Sequence, residues 1–166
     1  MRVAITLIKA KIAAISVACC LTTNVHAFDF DNAHSFDFSV APPGQELGCL
    51  AMNIYHEGRG EPPRGRAAIA SVTMNRVRSQ RYPNTVCEVV WQRKQFSWTA
   101  VAPRHHVIND PRAWRQALVV AKLFLSGAQI SLVGDATHYH SVHVQPNWQD
   151  ESKLVALVGD HIFYAL

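Results

Sequence analysis

The stretch from Gly58 to Pro63 contains two glycines and two prolines within six residues, and it separates two helical patterns. Before it, apolar residues recur at helical spacing from Gln45 to His56. After it, a second pattern of this kind runs from Gly65 to Arg78. Proline removes a backbone donor and glycine disfavours the helical conformation, so the first helix is predicted to end at this stretch.

Further along the chain, the sequence predicts two more helices and then a change to extended structure. Asn84 or Thr85 can cap a short helix that ends at Trp91, and Asp110 followed by Pro111 is typical of the start of a longer one. Extended segments are predicted at residues 137–141, 153–157 and 161–164, with a turn at 158–160. Helices followed by a small antiparallel β element indicate an α+β fold rather than alternating strands and helices.

Residues 1–27 have the composition of a secretion signal. They contain three bases and no acid, and their apolar stretch 12–21 is too short to span a bilayer as a stable helix. Val25 and Ala27 fit the two positions that a signal peptidase reads, so we expect cleavage after Ala27. An uncleaved membrane anchor, or a lipoprotein modified at Cys19 or Cys20, is the alternative.

Removal of this segment changes what the charge of the chain implies. The whole chain has 16 basic and 12 acidic residues, a net charge of +4, but the 13 bases after residue 27 exceed the same 12 acids by only one. A charge so close to zero gives no electrostatic argument for a nucleic-acid partner. We expect an exported protein, in the periplasm or secreted, without stable membrane insertion once the signal is removed.

One domain, residues 46–166, is expected in the exported part. Residues 28–45 are polar, aromatic and punctuated by proline and glycine, which is typical of a flexible lead-in. Cys49 and Cys87 are an even pair in an oxidising compartment, and the simplest interpretation is one disulfide between them. Two buried thiols or a metal pair are the alternatives, although neither cysteine has the Cys-x-x-Cys spacing that is common in zinc sites.

Two carboxylates lie where the first helix ends. Glu57 follows Ile54 by three residues, which places it toward the apolar face of that helix. Burial there would disfavour the charged form and raise the pKa of the carboxyl, a property that suits a general acid. The spacing alone equally fits two exposed glutamates, or a Glu61 that caps a neighbouring element. Asn75 and Arg76 of the second helix could orient Glu57 or simply cap and solvate it.

A second cluster of functional residue types lies in the predicted strand at 137–141. His138 and His140 would face the same side of a strand and could bind zinc together with a carboxylate. The alternatives are a polar strand face or an aromatic face that binds sugar. His-x-His alone is a weak signal and the sequence has no His-Glu-x-x-His motif, so no metal or other cofactor is expected.

The stretch Gln95-Phe-Ser-Trp98 mixes hydrogen-bonding groups with aromatic ones. Such a loop can line a carbohydrate groove, because aromatic faces stack on the apolar face of a sugar ring. It can equally be an ordinary loop that Phe96 and Trp98 anchor in the core. Ser97 lacks the Gly-x-Ser-x-Gly surroundings of a nucleophilic serine, which disfavours a serine hydrolase.

Six stretches of the sequence are together typical of one family. They are Leu50-Ala-Met-Asn-Ile-Tyr-His-Glu-Gly-Arg-Gly-Glu-Pro-Pro-Arg-Gly65, Met74-Asn-Arg-Val-Arg-Ser79, Tyr82-Pro-Asn-Thr-Val-Cys-Glu-Val-Val90, Gln95-Phe-Ser-Trp98, Ala136-Thr-His-Tyr-His140 and Gly159-Asp-His-Ile-Phe-Tyr164. Their order over residues 46–164 resembles the SleB-type cell wall hydrolases, the relatives of spore-cortex-lytic enzymes that also occur outside spore formers. Several motifs in order are more specific than any one of them.

The resemblance implies an α+β, lysozyme-like domain that cuts peptidoglycan glycan strands, since the best-studied relatives are lytic transglycosylases that act at the MurNAc–GlcNAc bond. The acid of the family's Glu-Ala-Arg-Gly-Glu motif corresponds to Glu57. This chain has Gly58 in place of the alanine, which is expected to loosen the backbone beside Glu57 without abolishing activity. The candidate substrate-binding residues are Glu61, Gln95, Phe96, Ser97, Tyr139 and His140.

The implied mechanism gives both proton transfers to Glu57. As an acid it donates to the glycosidic oxygen, and as a base it takes the proton of the muramoyl 6-hydroxyl, which closes a 1,6-anhydro ring. A glycosidase that uses water would need a second carboxylate, for which Glu61 is the nearest candidate. The competing hypotheses are a metal-dependent amidase that uses His138 and His140, and a glycan-binding module without catalysis. Peptidoglycan is the expected partner.

Overall fold

The computed structural model describes residues 45–100, 108–128 and 130–166, so the predicted signal peptide and the lead-in up to residue 44 lie outside it. The helices are α1 (Glu46–Gly58), α2 (Pro63–Arg78), α3 (Val86–Trp91) and α4 (Pro111–Leu125), with short 3-10 helices at Ser97–Ala100 and Glu151–Lys153. The strands are β1 (His138–Ser141), β2 (Leu154–Val158) and β3 (His161–Tyr164). Within the described ranges, no helix has both the length and the apolar character needed to cross a membrane.

The connection between α1 and α2 is shorter than the sequence predicts. α1 continues to Gly58 instead of ending at His56, and α2 begins at Pro63 instead of Gly65. Proline is favoured in the first turn because no bond within the helix needs its missing N–H. Gly60 between the helices has a φ of +96°, a left-handed conformation that glycine adopts without steric penalty.

Capping bonds confirm the other predicted helix starts. The hydroxyl of Thr85 accepts from the amide N–H of Glu88 at 3.3 Å, and the carboxylate of Asp110 accepts from that of Ala113 at 3.0 Å. Each of these side chains satisfies a backbone donor that the first turn of a helix leaves without a partner. Pro111 follows Asp110 at the start of α4, as the sequence predicts.

The three strands form one antiparallel sheet in the order β1-β3-β2. β3 is the central strand, and its Phe163 lies opposite Tyr139 of β1. Gly159 and Asp160 make the turn from β2 to β3, and Gly159 has a φ of +58°. The predicted α+β fold, with the helices first and a small antiparallel sheet last, is therefore confirmed.

Two hydrophobic clusters pack the helices together and attach them to the sheet. α1 lies at the centre of the first cluster, where Leu50 and Ile54 are fully buried among residues of α2, α3 and α4. The second cluster joins Ala68 and Val72 of α2 to Phe163 of β3. Because α2 contributes to both clusters, it connects the helical part of the fold to the sheet.

Polar bonds from α2 fix the position of β1. The side-chain amide of Asn75 donates to the backbone carbonyls of Gly134 and Ala136, both at 2.8 Å. Nε of Arg76 donates to the carbonyl of Thr137 at 2.7 Å. These carbonyls lie just before β1, so α2 determines where this strand begins relative to the helices.

The Cys49–Cys87 disulfide joins α1 to α3 and confirms the predicted pairing. Glu46 in the first turn of α1 adds a second link, because its carboxylate accepts from the amide N–H groups of Val86 and Cys87 at 2.6 and 3.3 Å. These are donors that the start of a helix leaves free. The alternatives of two thiols or a metal pair are wrong.

Reduction of the disulfide should lower the free energy of unfolding by roughly 3–4 kcal/mol, because the bridge restricts the unfolded chain between two cysteines that are 38 residues apart. Urea unfolding with and without a thiol reductant measures the effect. The Cys49→Ala/Cys87→Ala variant is the control, and its unfolding midpoint should not respond to the reductant. Equal stability of the native protein in both conditions would contradict the prediction.

Candidate functional site

Glu57 lies in the last turn of α1, and its carboxylate is in contact with β1. The hydroxyl of Tyr139 donates to Oε2 of Glu57 at 3.1 Å, although the two residues are 82 positions apart in the chain. Ile54, three residues before Glu57, is fully buried, and Glu57 itself is half-buried. One end of a helix and one strand therefore meet at a carboxylate on the edge of the core.

Burial raises the pKa of Glu57 above its ordinary value. Two neighbours act in the opposite direction, since the hydrogen bond from Tyr139 and the positive charge of Arg76 both lower this pKa. Desolvation is the largest of the three effects, so the carboxyl keeps its proton to a higher pH than a glutamate in water. A carboxyl whose pKa is raised in this way is suited to donate a proton and then to accept one back.

Arg76 is the buried cation next to this carboxyl. It is 4% exposed, and its guanidinium lies over the rings of Phe96 and Tyr82, 5.2 and 5.5 Å from their centroids. Burial lowers the pKa of Arg76, but a guanidinium stays charged in proteins. Of the two α2 residues singled out in the sequence, Arg76 acts electrostatically on Glu57, whereas Asn75 binds the backbone before β1.

Glu61 is buried on the far side of the Gly-Pro turn, with 7% of its surface exposed. Its Oε1 accepts from the amide N–H of Asp160 at 3.2 Å and lies 3.0 Å from Nδ1 of His161. Glu61 thus accepts a hydrogen bond from the β2–β3 turn and contacts His161 of β3, whereas Glu57 accepts one from β1.

Tyr139 and His140 lie on opposite faces of β1, because successive side chains of a strand alternate. His140 is 9% exposed, its Nδ1 donates to the carbonyl of Ser141 at 2.9 Å, and its Nε2 is hydrogen-bonded to the hydroxyl of Tyr164 at 3.1 Å. The structure therefore brings Tyr139 to Glu57 and holds His140 on the other face of the sheet.

His138 shares that other face with His140, and both imidazole rings pack against Trp148, with centroids 5.4 and 5.5 Å away. Burial and the positive charges of Arg76 and Arg81 lower the pKa of His138. The described part of the chain contains no group of three or more His, Cys, Asp or Glu side chains that could hold a metal ion. This face of the sheet is an aromatic cluster.

The segment between α3 and α4 contributes both core and surface residues. Phe96 and Trp98 are buried, whereas Ser97 is exposed and Gln95 is half-buried. The ring of Trp98 stacks on His56, the residue before the candidate acid, with centroids 4.5 Å apart. The aromatic residues thus pack in the core beside α1 and α2, and the two polar residues lie at the protein surface.

Tyr55, two residues before Glu57, makes contacts that the sequence did not indicate. Its buried hydroxyl donates to Oδ1 of Asn109 at 2.8 Å and accepts from Nη1 of Arg59 and from the amide N–H of Asp110, both at 3.2 Å. These bonds attach the turn after Glu57 to the start of α4. A tyrosine at a core position of a helical pattern gives no sign of such a role.

The sequence matches a family model described as Cell Wall Hydrolase over residues 60–164, which begin three residues after Glu57. The spore cortex-lytic enzyme of Bacillus subtilis (strain 168) is 37% identical over 119 residues, which are 71% of this chain and 37% of that enzyme. The spore cortex-lytic enzyme of Halalkalibacterium halodurans is 31% identical over the same length, 71% of this chain and 34% of that enzyme. The chain thus spans little more than a third of these curated relatives.

Solved structures of two relatives share the fold. The catalytic domain of the germination-specific lytic transglycosylase SleB from Bacillus anthracis has a TM-score of 0.57 and 29% identity, over 75% of this chain and 99% of that domain. The catalytic domain of the Bacillus cereus SleB protein has a TM-score of 0.55 and 27% identity, over 75% of this chain and 94% of that domain. The fold is lysozyme-like, as the resemblance implied, and the chain belongs to the SleB-type family of cell wall hydrolases.

Proposed function

We propose that this chain cleaves peptidoglycan glycan strands at the MurNAc–GlcNAc bond, as a lytic transglycosylase. The observation that carries the proposal is the half-buried carboxyl of Glu57, whose pKa is raised by burial and whose Oε2 accepts from Tyr139. The resemblance of the surrounding motif assigns the role of the family's acid to this carboxyl. The relatives named as spore cortex-lytic enzymes and as a lytic transglycosylase support the same class of reaction.

The proposed reaction uses one carboxyl group twice. Glu57 donates its proton to the glycosidic oxygen while the bond from that oxygen to the muramoyl C1 breaks through an oxocarbenium-like transition state. The resulting carboxylate takes the proton of the muramoyl 6-hydroxyl, whose oxygen bonds to C1 and closes a 1,6-anhydro ring. Glu57 ends the cycle protonated, and no water is consumed.

Tyr139 and Arg76 would stabilise the intermediate state, in which Glu57 is charged. A fully desolvated carboxyl would hold its proton too strongly to give it up. The hydroxyl of Tyr139 and the charge of Arg76 both favour the ionised form, so they balance the burial that favours the protonated form. A carboxyl between these two influences can serve as acid in one step and as base in the next.

The proposed substrate groove uses surface and buried residues differently. Gln95 and Ser97 reach the solvent between α3 and α4, and we assign them contacts with the sugar rings, together with the half-buried Tyr139. Phe96 and His140 are buried, and we assign them a supporting part beneath the groove.

The place of action would be the periplasm or the exterior of the cell, after loss of residues 1–27.

Glu57→Gln should reduce the release of muropeptides from purified sacculi by roughly 10²–10⁴-fold, because the amide is too weak an acid to protonate the leaving oxygen. Mass spectrometry of the soluble fragments measures the release. Glu88→Gln is a matched control, since it makes the same change at an exposed carboxyl of α3, and it should keep the native rate. A Glu57→Gln variant that digests sacculi at the native rate would contradict the proposal.

The masses of the fragments from the native protein distinguish the reaction types. A transglycosylase gives fragments with an anhydro ring, each lighter by one water than the hydrolysed fragment. Reducing ends would indicate a glycosidase that uses water, and free stem peptides would indicate an amidase. A protein that binds sacculi and releases nothing would be a glycan-binding module.

The Tyr139→Phe variant should move the basic limb of the pH profile of kcat/KM to higher pH. Activity falls as the pH rises through the pKa of Glu57, because the first step needs the protonated carboxyl. Loss of the Tyr139 hydroxyl removes a hydrogen bond that lowers this pKa, so the pKa rises. Tyr55→Phe, whose lost hydroxyl binds Asn109 instead, should leave the limb in place. A limb that stays in place or moves to lower pH in Tyr139→Phe would contradict the assigned contact.

A further inference from the structure

Three contacts in sequence connect Glu61 to the candidate acid. Oε1 of Glu61 lies 3.0 Å from Nδ1 of His161. The ring of His161 is edge-on to the ring of Tyr139, with centroids 5.3 Å apart and planes at 82°. The hydroxyl of Tyr139 donates to Glu57 at 3.1 Å. The two glutamates of the family motif are therefore linked through the side chains of two strands.

The register of the sheet explains the central contact. Tyr139 of β1 lies opposite Phe163 of β3, and His161 lies two residues before Phe163 on the same face. His161 is thus a diagonal neighbour of Tyr139, at a distance that aromatic side chains can bridge. Phe163 supports the tyrosine from the opposite position, with ring centroids 5.5 Å apart. The direction of the Tyr139 ring depends on these two neighbours.

The position of the Glu61 carboxylate is fixed by the backbone around it. The amide N–H of Asp160 lies 3.2 and 3.4 Å from the two oxygens. A Cβ atom at Gly65 would lie 2.3 Å from Oε2, and one at Gly159 would lie 1.8 Å from it, so larger residues at either position would displace the carboxylate. Arg66 donates to the backbone carbonyl of Glu61 and brings a positive charge close to it.

We infer that Glu61 and His161 are positioning residues that hold Tyr139 where its hydroxyl can donate to Glu57. The inference rests on the proposed role of Glu57 and adds the two residues through which that role depends on the β2–β3 hairpin. Glu61 holds the imidazole through Nδ1, the imidazole edge restricts the Tyr139 ring, and the ring direction sets the hydrogen bond to the acid.

This assignment differs from a catalytic role for Glu61 in what it requires of the carboxylate. A nucleophile or a base that activates water has to present an oxygen to the substrate. The oxygens of Glu61 instead accept from the amide N–H of Asp160, and Oε1 lies 3.0 Å from Nδ1 of His161, in a side chain that is 7% exposed. A carboxylate held in this way is suited to orient a neighbouring side chain.

The test is a double-mutant cycle that combines His161→Ala with Tyr139→Phe, measured with soluble glycan strands as the substrate. His161→Ala should lower kcat about tenfold and leave KM within about twofold, because the affected contact is one hydrogen bond to a charged group. It should also move the basic limb of the pH profile of kcat to higher pH, which is the direction expected for Tyr139→Phe. Among the residues that the structure describes, Tyr139 of β1 and Arg76 of α2 act on the charge of Glu57, so the limb reports on the tyrosine contact.

In the double variant, kcat and the position of the limb should equal those of Tyr139→Phe alone, because both changes remove the same hydrogen bond. The inference would be overturned if the effects of the two substitutions on kcat were additive. It would also be overturned if the basic limb of the pH profile of His161→Ala stayed at the native position. His143→Ala is the matched control, since it removes an exposed histidine four residues after Tyr139. It should change neither kcat, nor KM, nor the position of the basic limb. His161→Phe keeps an aromatic ring beside Tyr139 and lacks the contact with Glu61. Its kcat should therefore lie between those of the native protein and His161→Ala. It replaces His161→Ala in the test if that variant does not fold.

Conservative replacement of Glu61 provides an independent measurement. Glu61→Gln keeps the shape of the side chain and one acceptor oxygen, so it should retain more of the native kcat than Glu61→Ala. Equal loss in both variants would indicate a charged catalytic group and overturn the inference. Full activity of Glu57→Gln would refute the proposed function itself, whereas an inactive Glu57→Gln with additive His161 and Tyr139 effects would refute the positioning role alone.

Discussion

The guanidinium of Arg76, buried between α2 and the sheet, is the interaction on which the arrangement of this protein depends. Its Nε holds the carbonyl of Thr137 at the start of β1, and its charge acts on Glu57. A buried cation is costly unless aromatic rings, carbonyls and negative charge surround it, and Arg76 has all three. The same contacts that make its burial tolerable bring β1 and its tyrosine to the end of α1.

The two glutamates of one short motif acquire different contacts from their surroundings. Glu57 lies in a helix, and its burial favours the neutral form of the carboxyl, whereas the hydrogen bond from Tyr139 acts in the opposite direction. Glu61 lies after the left-handed Gly60, is bonded to the hairpin and contacts His161. Sequence proximity therefore does not make them a catalytic pair, because a tight turn directs them to different strands. The pattern is consistent with a mechanism in which one carboxyl transfers the proton in both directions.

The sequence predicts the elements of this fold better than the contacts between them. Helix starts at Thr85 and Asp110 were predictable because capping is a local interaction. The strand alternation likewise contained the information that Tyr139 and His140 face opposite ways, so only one of them can reach a given carboxylate. The bond of Glu61 to Asp160, across 99 residues, left no comparable signal, because a periodic pattern gives the face of an element and not its partner.

Gly58, which replaces the alanine of the family motif, shows how the contact between two helices can depend on the absence of a single Cβ atom. A Cβ atom there would lie 3.1 Å from Cγ of Arg66 and 3.2 Å from Cδ1 of Ile69, closer than ordinary van der Waals contact. The glycine therefore allows the last turn of α1 to approach α2 closely, and its buried place in the helix limits the freedom expected of a glycine.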